Sequence, residues 1–421
     1  MITLDTTILE IMPMNKDVEV GATGLTERRI FQILDKIPAY HKAKDNSQVS
    51  SLDAELISPG KGFLSQVFKI VVAFDDQANS TYTFILKLPI VAGLQQVIEK
   101  GKVDGEENVV DQIVVDGHNN EVEFYKLANR ISGLPVAETY AYEKIVPGRS
   151  NGLLAMEDLT NVGEPLGFYR SASLEQTLSV AREIAKLQSW AQNKEFENWY
   201  NKLRVTIHIE EIITKYTSQE SMDELQSSVP EVFAHLPKLS VLFDQAFSYY
   251  CLIDKPKEYN ALTFCHGDTQ PNNIIFRYNQ HGELTSEVAA IIDWQLVFCG
   301  NALFDLARFL TFSVDGEIRE KTDAEAFRCY YNQLSKLYKK AGKKVPFTFN
   351  QGVELFELAL CQQLSFLLTF LGIFVMAAKQ AGQEVPNNFQ ILVDRALFCI
   401  RKVAHVIEKR NLKRFNTHSN L

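Results

Sequence analysis

The spacing of hydrophobic and polar residues along this chain changes near residue 159. Before that point the pattern is typical of strands, beginning at about Ala54. β-branched residues dominate from Val67 to Phe74, polar residues fill 75–79, and apolar and polar residues alternate from Thr81 to Leu88. The two apolar runs and the polar turn between them predict a β-hairpin.

A second hairpin is predicted further along the same half of the chain. Its strands are residues 139–146 and 152–156, and its turn contains Pro147 and Gly148. Between the hairpins, a polar stretch that contains glycine runs to Gly117, and residues 121–130 then have helical spacing. Asn119 or Asn120 is available as the N-cap of that helix.

Helical spacing dominates after residue 159, in 174–190 and in much of 205–250 and 320–410. Three short apolar runs interrupt it and predict strands. They are residues 262–266, 273–277 and 288–293. The pattern therefore predicts an α+β protein with a small β-rich lobe, a hinge near 156–161 and a large, mostly helical lobe. We divide the chain into an N-terminal extension with a helix (1–50), a β-rich N-lobe (51–159) and a helical C-lobe (160–421).

Length and composition agree with two lobes, because 421 residues exceed the usual span of one core. The net charge of −9 argues against nucleic-acid and anionic-membrane partners, which require a basic surface. The six cysteines form no Cys-x-x-Cys pair, so they predict reduced thiols and a cytoplasmic protein. The first residues lack the basic segment of a signal peptide.

One uncharged segment, residues 358–378, is long enough to span a bilayer. It contains Gln362, Gln363, Ser365 and Thr369, however, and it lies deep inside the chain. We therefore predict a buried helix of the C-lobe and no membrane span.

Two motifs carry the candidate chemistry: FCHGDTQPNNIIF at 264–276 and AAIIDWQ at 289–295. In the first, Asp268 lies in a loop and Asn273 follows five positions later, just ahead of a strand. In the second, an apolar strand ends at Asp293. Phosphoryl transfer needs a carboxylate that orients the attacking hydroxyl and accepts its proton, and oxygen ligands that hold Mg²⁺. Either fragment alone is also compatible with a simple turn or helix cap.

The HGDTQPNN and IIDWQ segments resemble the catalytic loop and the metal-binding segment of the protein-kinase-like fold. The His-Gly-Asp and Asp-Trp variants are similar to those of choline kinases and aminoglycoside kinases, above all to the choline-kinase-like branch with the ecdysteroid kinases and their nematode relatives. The resemblance implies a two-lobed, ATP- and Mg²⁺-dependent kinase of a small hydroxylated molecule. It implies that Asp268 is the catalytic base and that Asn273 and Asp293 bind the metal.

The mechanism also requires a cation that faces the phosphates of ATP. Lys87 stands inside an otherwise apolar strand, so we expect this role for it, with an edge-strand lysine as the alternative. A carboxylate should hold that lysine. Helical spacing aligns Glu121 with Phe124 on the apolar side of the next helix, whereas Glu123 should face solvent, so Glu121 is preferred.

Further parts of the nucleotide site are expected in the N-lobe. The turn that contains Gly60 and Gly62 precedes the Lys87 strand and should cover the phosphates with its backbone N–H groups, although an ordinary hairpin turn has the same composition. The resemblance implies that the backbone from Glu157 to Leu159 contacts the adenine.

Two residues of the C-lobe are expected to support the site. The segment from Gly300 to Arg308 resembles the G-[ND]-P-x-x-D-L-A segment of these kinases, which implies that Asp305 accepts N–H bonds from the catalytic loop. A helix N-terminal aspartate that the helix dipole stabilises is the alternative. His266 is expected to anchor the loop and not to carry protons. Gln270 and Ala302 depart from the Trp and Pro usual in relatives, and neither change removes a reactive group.

Three functions compete at this point. The sequence favours a small-molecule kinase, because the base and both metal ligands are present. A nucleotide- or ligand-binding pseudokinase is the alternative. A protein kinase fits less well, because the chain lacks an A-P-E segment and only 25 residues separate Asp268 from Asp293. Aromatic residues such as Trp190, Trp199, Tyr200 and Tyr216 lie in the lobe that should form the acceptor pocket, although such residues are more often part of a core.

Overall fold

The computed structural model describes residues 18–57, 65–76, 80–90, 106–128, 133–191, 219–235, 238–380 and 382–415. The chain divides into two compact units. Unit 1 consists of Met1–Val114 and Glu138–Asp158, and unit 2 consists of Val115–Ala137 and Leu159–Leu421. The last junction, between Asp158 and Leu159, falls within the predicted hinge segment 156–161.

Unit 1 contains a five-stranded antiparallel sheet with the strand order β1-β2-β3-β5-β4. The strands are β1 (Val49–Leu56), β2 (Ser65–Phe74), β3 (Thr81–Pro89), β4 (Thr139–Val146) and β5 (Ser150–Glu157). Both predicted hairpins are present, as β2–β3 and β4–β5. The β1 strand lies mostly in a segment for which no strand was predicted.

Two short helices cover one face of this sheet: α1 (Glu27–Leu34) and α2 (Pro38–Lys44). The side chain of Thr26 caps α1, and Pro38 occupies the first turn of α2, where its missing N–H costs nothing. Alternate residues of the strands, including Phe84 and Leu86, pack into a fully buried apolar core with these helices. The intervening residues therefore point to the opposite face of the sheet.

Unit 2 is mostly helical. Its long helices are α3 (Glu106–Ala128, in unit 2 from Val115 onward), α4 (Leu174–Ala191), α5 (Gln219–Ser228), α6 (Phe304–Ser313), α7 (Gly316–Lys340), α8 (Phe349–Gln380) and α9 (Gln390–Lys409). Its strands are β6 (Gly163–Pro165), β7 (Leu262–Cys265), β8 (Ile274–Tyr278), β9 (Leu284–Ile291) and β10 (Phe298–Asn301). They form two small antiparallel sheets, in the orders β6-β8-β9 and β10-β7.

The α3 helix differs from its prediction in extent and in the unit to which it belongs. It begins at Glu106 and continues through Gly117, where the sequence predicted a polar stretch. From Val115 it belongs to unit 2, whereas the predicted division placed it in the 51–159 lobe. The physical reason is aromatic packing: the ring of Phe124 stacks on Trp294 with centroids 3.7 Å apart and on Phe264 at 5.8 Å.

The uncharged segment 358–378 lies in α8. Within the described part of the chain, the stretch Phe349–Met376 of this helix is the one segment long and apolar enough to cross a membrane. In its most apolar window, 78% of the residues are buried inside the protein. A single helix of this kind is weak evidence for a membrane span, since the core helix of a globular protein has the same composition.

One cluster of buried charge joins two helices of unit 2. Arg319 of α7 is fully buried and donates to both carboxylate oxygens of Asp323, at 3.0 and 3.2 Å. Lys402 of α9 donates to Asp323 at 2.6 Å. This cluster joins α7 to α9 and leaves the Asp323 carboxylate compensated by two cations.

Candidate active site

The loop between β7 and β8 carries the His266-Gly267-Asp268 motif, and hydrogen bonds to Asp305 hold this loop in place. Asp305 lies in the first turn of α6 and is fully buried. Its carboxylate accepts the backbone N–H of His266 at 2.8 Å and that of Gly267 at 3.0 Å, and the hydroxyl of Thr269 donates to its carbonyl oxygen at 2.7 Å. Burial raises the pKa of Asp305, while His266, the two N–H groups and Arg308 act in the opposite direction. Asp305 is therefore both a helix N-terminal residue and the anchor of the loop.

His266 connects this loop to the end of β9. Its Nδ1 accepts the backbone N–H of Asp268 at 3.1 Å, which places the ring proton on Nε2. Nε2 then donates to the carbonyl oxygen of Ile292 at 3.0 Å. The ring is fully buried and packs edge-on against Trp294, with centroids 4.4 Å apart. Both nitrogens are engaged in fixing the loop.

Gly267 is required by the geometry of the loop. Its φ of +87° lies in the left-handed region. A Cβ atom at this position would lie 2.0 Å from the carbonyl oxygen of Leu296. No side chain fits there without movement of the backbone, so glycine allows the loop to approach the segment after β9.

Asp268 accepts hydrogen bonds at both carboxylate oxygens. Oδ2 accepts from the side-chain amides of Gln270 at 2.9 Å and of Asn273 at 3.0 Å. Oδ1 accepts from Nη2 of Arg308 at 2.7 Å, and the two side chains are only 13% and 12% exposed. The carboxylate is thus held in one orientation by residues of its own loop and by α6.

Arg308 was not predicted as a site residue. It lies three positions after Asp305 on α6, and residues three apart share one face of a helix. That spacing is the only feature of the sequence that places Arg308 near Asp305. The guanidinium also lies over the ring of Phe312 at 4.1 Å and that of Phe366 at 5.2 Å.

Asn273 and Asp293 lie at neighbouring ends of the antiparallel strands β8 and β9. Ile274 pairs with Ile291, and the N–H of Ile292 donates to the carbonyl oxygen of Asn273 at 3.0 Å. Asp293 follows at once in the left-handed conformation, with φ 66° and ψ 66°. Asp and Asn adopt this conformation more readily than other non-glycine residues, and such strain often accompanies a functional site.

The chemistry of this pair fits a magnesium ion. Nδ2 of Asn273 donates to Asp268 at both the backbone and the side-chain oxygen, so the amide oxygen is the atom left to bind a cation. With the carboxylate of Asp293 it would supply two hard oxygen ligands, and Mg²⁺ typically takes one or two protein oxygens plus phosphates and water. No cluster of three or more His, Cys, Asp or Glu occurs in the described residues, so an all-protein cage of those ligands is not found there.

Glu121 is buried in α3 next to the same motif. It is fully buried, and its Oε1 accepts the backbone N–H of Trp294 at 3.3 Å. Glu123, the alternative, pairs with Lys126 at 2.8 Å and is partly exposed. Glu121 therefore contacts the residue that directly follows Asp293.

Unit 1 contains the predicted lysine. Lys87 lies on β3, is 7% exposed and points away from the α1/α2 core, on the same sheet face as Ile85 and Leu154. Lys69 of β2 lies on that face too and pairs with Asp158 at 3.0 Å.

Glu157 ends β5. Its backbone N–H donates to the carbonyl oxygen of Glu138 at 2.9 Å, and its carboxylate accepts the N–H of the same residue at 2.8 Å. Leu159 is the first residue of unit 2 after the hinge.

The structure thus gathers most predicted site residues in unit 2: Glu121, His266, Asp268, Asn273, Asp293 and Asp305. Lys87 and Glu157 belong to unit 1. Gly60 and Gly62 lie outside the described residues, as do Trp199, Tyr200 and Tyr216. The pairing of Lys87 with Glu121 and the adenine contact at 157–159 stay predictions.

Comparison with known proteins places the chain in a family. The sequence model of the DUF1679 family, described as "Uncharacterized oxidoreductase dhs-27", matches residues 42–409. The chain belongs to the DUF1679 family. This agrees with the predicted resemblance to choline-kinase-like proteins and their nematode relatives.

Two Caenorhabditis elegans proteins related to this DUF1679 chain carry different names. The "Uncharacterized oxidoreductase dhs-27" is 26% identical over 396 residues, which is 91% of this chain and 46% of that protein. The "Uncharacterized kinase-like protein D1044.1" is 22% identical over 333 residues, 76% of this chain and 84% of that protein. The chain therefore spans less than half of dhs-27, and the name of that longer protein does not define the activity of the matched part.

The fold of this DUF1679 member is that of known small-molecule kinases. The solved choline kinase from Cryptosporidium parvum Iowa II superimposes with a TM-score of 0.53 at 14% identity, covering 93% of this chain and 99% of that one. Together with the antiparallel sheet of unit 1 and the helical unit 2, this confirms the predicted α+β, protein-kinase-like fold. At this level of identity the comparison establishes the fold and leaves the activity to be argued from the site.

Proposed function

We propose that this chain is an ATP- and Mg²⁺-dependent phosphotransferase that acts on a hydroxyl group of a small organic molecule. The observation that carries the proposal is the hydrogen bond between Asn273 and Asp268, made beside the strand end that bears Asp293. It joins Asp268 and Asn273, to which we assign the roles of base and metal ligand, and Asp293 follows the neighbouring strand. None of the charged groups that phosphoryl transfer requires is replaced.

Asp268 would orient the attacking hydroxyl and accept its proton at a carboxylate oxygen. Its position is fixed by Gln270, Asn273 and Arg308, so little reorganisation is needed when the acceptor arrives. Proton acceptance by such a positioned side chain contributes about 10²–10⁴-fold to a rate.

Asn273 and Asp293 would hold the magnesium ion, which when bound offsets the negative charge of the phosphates. Lys87, held by Glu121, would add a second positive charge, and the turn with Gly60 and Gly62 would cover the phosphates. The backbone from Glu157 to Leu159 would contact the adenine.

A cytoplasmic setting fits the six cysteines, all of which are free thiols.

The alternative is a pseudokinase that binds a nucleotide or another ligand without catalysis. The retained Asp268, Asn273 and Asp293 argue against it, because loss of the base or of a metal ligand is what removes activity in this fold. The two functions differ in one outcome, the transfer of phosphate.

Thermal unfolding with ATP, with and without Mg²⁺, tests the proposal. We expect MgATP to stabilise the wild type, Asp293→Asn to lose the metal-dependent part, and Asp268→Asn to retain it while losing phosphoryl transfer. Asn tolerates the left-handed backbone at position 293, so the first variant should fold. Asp394→Asn, at an exposed position of α9, is the control.

The outcomes separate the functions. Stabilisation by MgATP without transfer to any of a broad set of hydroxylated metabolites would support the pseudokinase. A folded wild type that MgATP does not stabilise would contradict both nucleotide-dependent functions.

A further inference from the structure

Two side chains of unit 2 near Asp268, Arg308 and Gln363, have hydrogen-bond donors that lack partners. Arg308 donates through Nη2 to Asp268, and through Nη1 to Oε1 of Gln363 on α8 in a longer contact of 3.4 Å. Within the described part of the chain, Nε of Arg308 and Nε2 of Gln363 are buried and have no hydrogen-bond partner. Gln363 is fully buried.

Two unpaired donors on adjacent side chains are unfavourable unless something binds them. A buried polar group without a partner costs more free energy than a typical hydrogen bond contributes, so such groups in native proteins call for an explanation. Both donors are N–H groups, and the partner they require is therefore an oxygen or another acceptor. The aromatic rings of Phe312 and Phe366 lie beside the guanidinium and add apolar surface there.

The positive charge of Arg308 limits which acceptor molecules can bind beside Asp268. Arg308 already compensates Asp268, so the pair is electrically neutral before any acceptor molecule arrives. In an alcohol such as choline the cationic group is two carbons from the hydroxyl. With that hydroxyl on Asp268, the cation would lie in the same partly buried region as the guanidinium, where like charges repel strongly.

We propose that Arg308 and Gln363 recognise the acceptor molecule, by donating to an oxygen near the hydroxyl that is phosphorylated. The acceptor class is then a hydroxylated compound with a carbonyl, hydroxyl or carboxylate oxygen beside the reacting group. Quaternary ammonium alcohols are excluded. The inference rests on the proposed phosphotransferase function and adds the class of its acceptor.

The test uses Gln363→Glu, which keeps the shape of the side chain and places a carboxylate beside Arg308. That carboxylate occupies the guanidinium and repels acceptor oxygens. Gln351→Glu makes the same change near the start of α8 and is the matched control, since Gln351 accepts from Thr348 at the helix end. Arg308→Lys is a second variant that keeps the charge and removes Nε.

Three sets of probes are compared by ADP release: choline and other quaternary ammonium alcohols, neutral diols and hydroxy ketones, and hydroxycarboxylic acids. We expect turnover with members of the last two sets and not with the first. In Gln363→Glu the KM of a responsive acceptor should rise roughly tenfold to a hundredfold. The KM of ATP should stay within about twofold, as should both constants in Gln351→Glu.

Two results would overturn the inference while phosphoryl transfer still occurs: turnover that is best with a quaternary ammonium alcohol, or an acceptor KM that Gln363→Glu leaves unchanged. A protein that MgATP does not stabilise, or one that MgATP stabilises without turnover in any of the three sets, would instead contradict the proposed function. The two failures are therefore distinguishable.

Discussion

Asp305 accepts the backbone N–H of His266 at 2.8 Å, and this bond ties the first turn of α6 to the loop that carries Asp268. Because α6 also supplies Arg308, one helix fixes both the backbone of the loop and the orientation of its carboxylate. The loop and the helix should therefore respond together to mutation.

Replacing Asp305 with Asn should weaken this connection. The amide nitrogen cannot accept, so one of the two loop N–H groups loses its partner and faces another donor. We expect a loss of about 1–3 kcal/mol in the free energy of unfolding, together with lower phosphoryl transfer. Urea denaturation and steady-state kinetics measure the two effects, and Asp394→Asn serves as the surface control. Unchanged stability would contradict the role given to Asp305.

Gly267→Ala should be severe because of a steric clash and not only because of backbone strain. Gly282 has a similar φ of +79°, yet a Cβ there would meet nothing within 4 Å. Gly282→Ala therefore reports the left-handed penalty alone, about 1–2 kcal/mol. Gly267→Ala adds the 2.0 Å contact with Leu296 and should cost more. Equal losses of stability in thermal or urea unfolding would show that the loop does not need glycine for its close approach.

Lys87→Met should reduce the stabilisation by MgATP and the rate of phosphoryl transfer, if Lys87 binds the phosphates as proposed. Lys69→Met is the matched control, because Lys69 lies on the same sheet face and is paired with Asp158. We expect the control to retain the MgATP-dependent rise in melting temperature. If Lys69→Met reduced the stabilisation by MgATP and Lys87→Met did not, the phosphate-binding role would belong to Lys69 on the neighbouring strand β2.

The Asp323 cluster should make stability depend on pH. Burial alone would raise the pKa of Asp323, but Arg319 and Lys402 outweigh it, so the pKa is lowered. The pKa of an aspartate in the unfolded chain is about 3.9. Below that pH the unfolded chain binds a proton that Asp323 in the folded protein does not yet bind. The stabilisation of the folded protein by this cluster is therefore complete above that pH, and it is lost as the pH falls through the pKa of Asp323 in the folded protein.

Asp323→Asn should remove this dependence and destabilise the protein near neutral pH, because it leaves two cations with less compensation. Urea denaturation at a series of pH values measures both effects against Asp394→Asn. If the wild type and Asp323→Asn lose stability in parallel on acidification, the cluster does not cause the pH dependence.

Local patterns predicted the strands of both hairpins of unit 1. Alternation from Thr81 to Leu88 predicted β3, which spans Thr81–Pro89, because a half-buried strand imposes that period. The start of α3 was wrong because Gly117 and its polar neighbours looked like a loop. The helix instead continues through Gly117, where a Cβ atom would lie 3.5 Å from the side chain of Gln295.

Sequence alone selects those candidate residues that lie in short motifs. Asp268, Asn273 and Asp293 could be chosen from their spacing, and strand pairing then places Asn273 beside Asp293. Arg308 could not be chosen, because 40 residues separate it from Asp268 and no local pattern records such a contact. The partners of Glu121 were equally hidden, since Trp294 is 173 residues away.

The position of α3 in the chain also bears on the order of synthesis on the ribosome. The second part of this helix belongs to unit 2, although it is encoded between β3 and β4 of unit 1. At translation speeds of about 5–20 residues per second, Glu121 waits roughly 10–35 s before Trp294 is made. For most of that time the nascent chain has completed unit 1, while Phe124 of α3 still lacks the Trp294 ring on which it stacks in the folded protein.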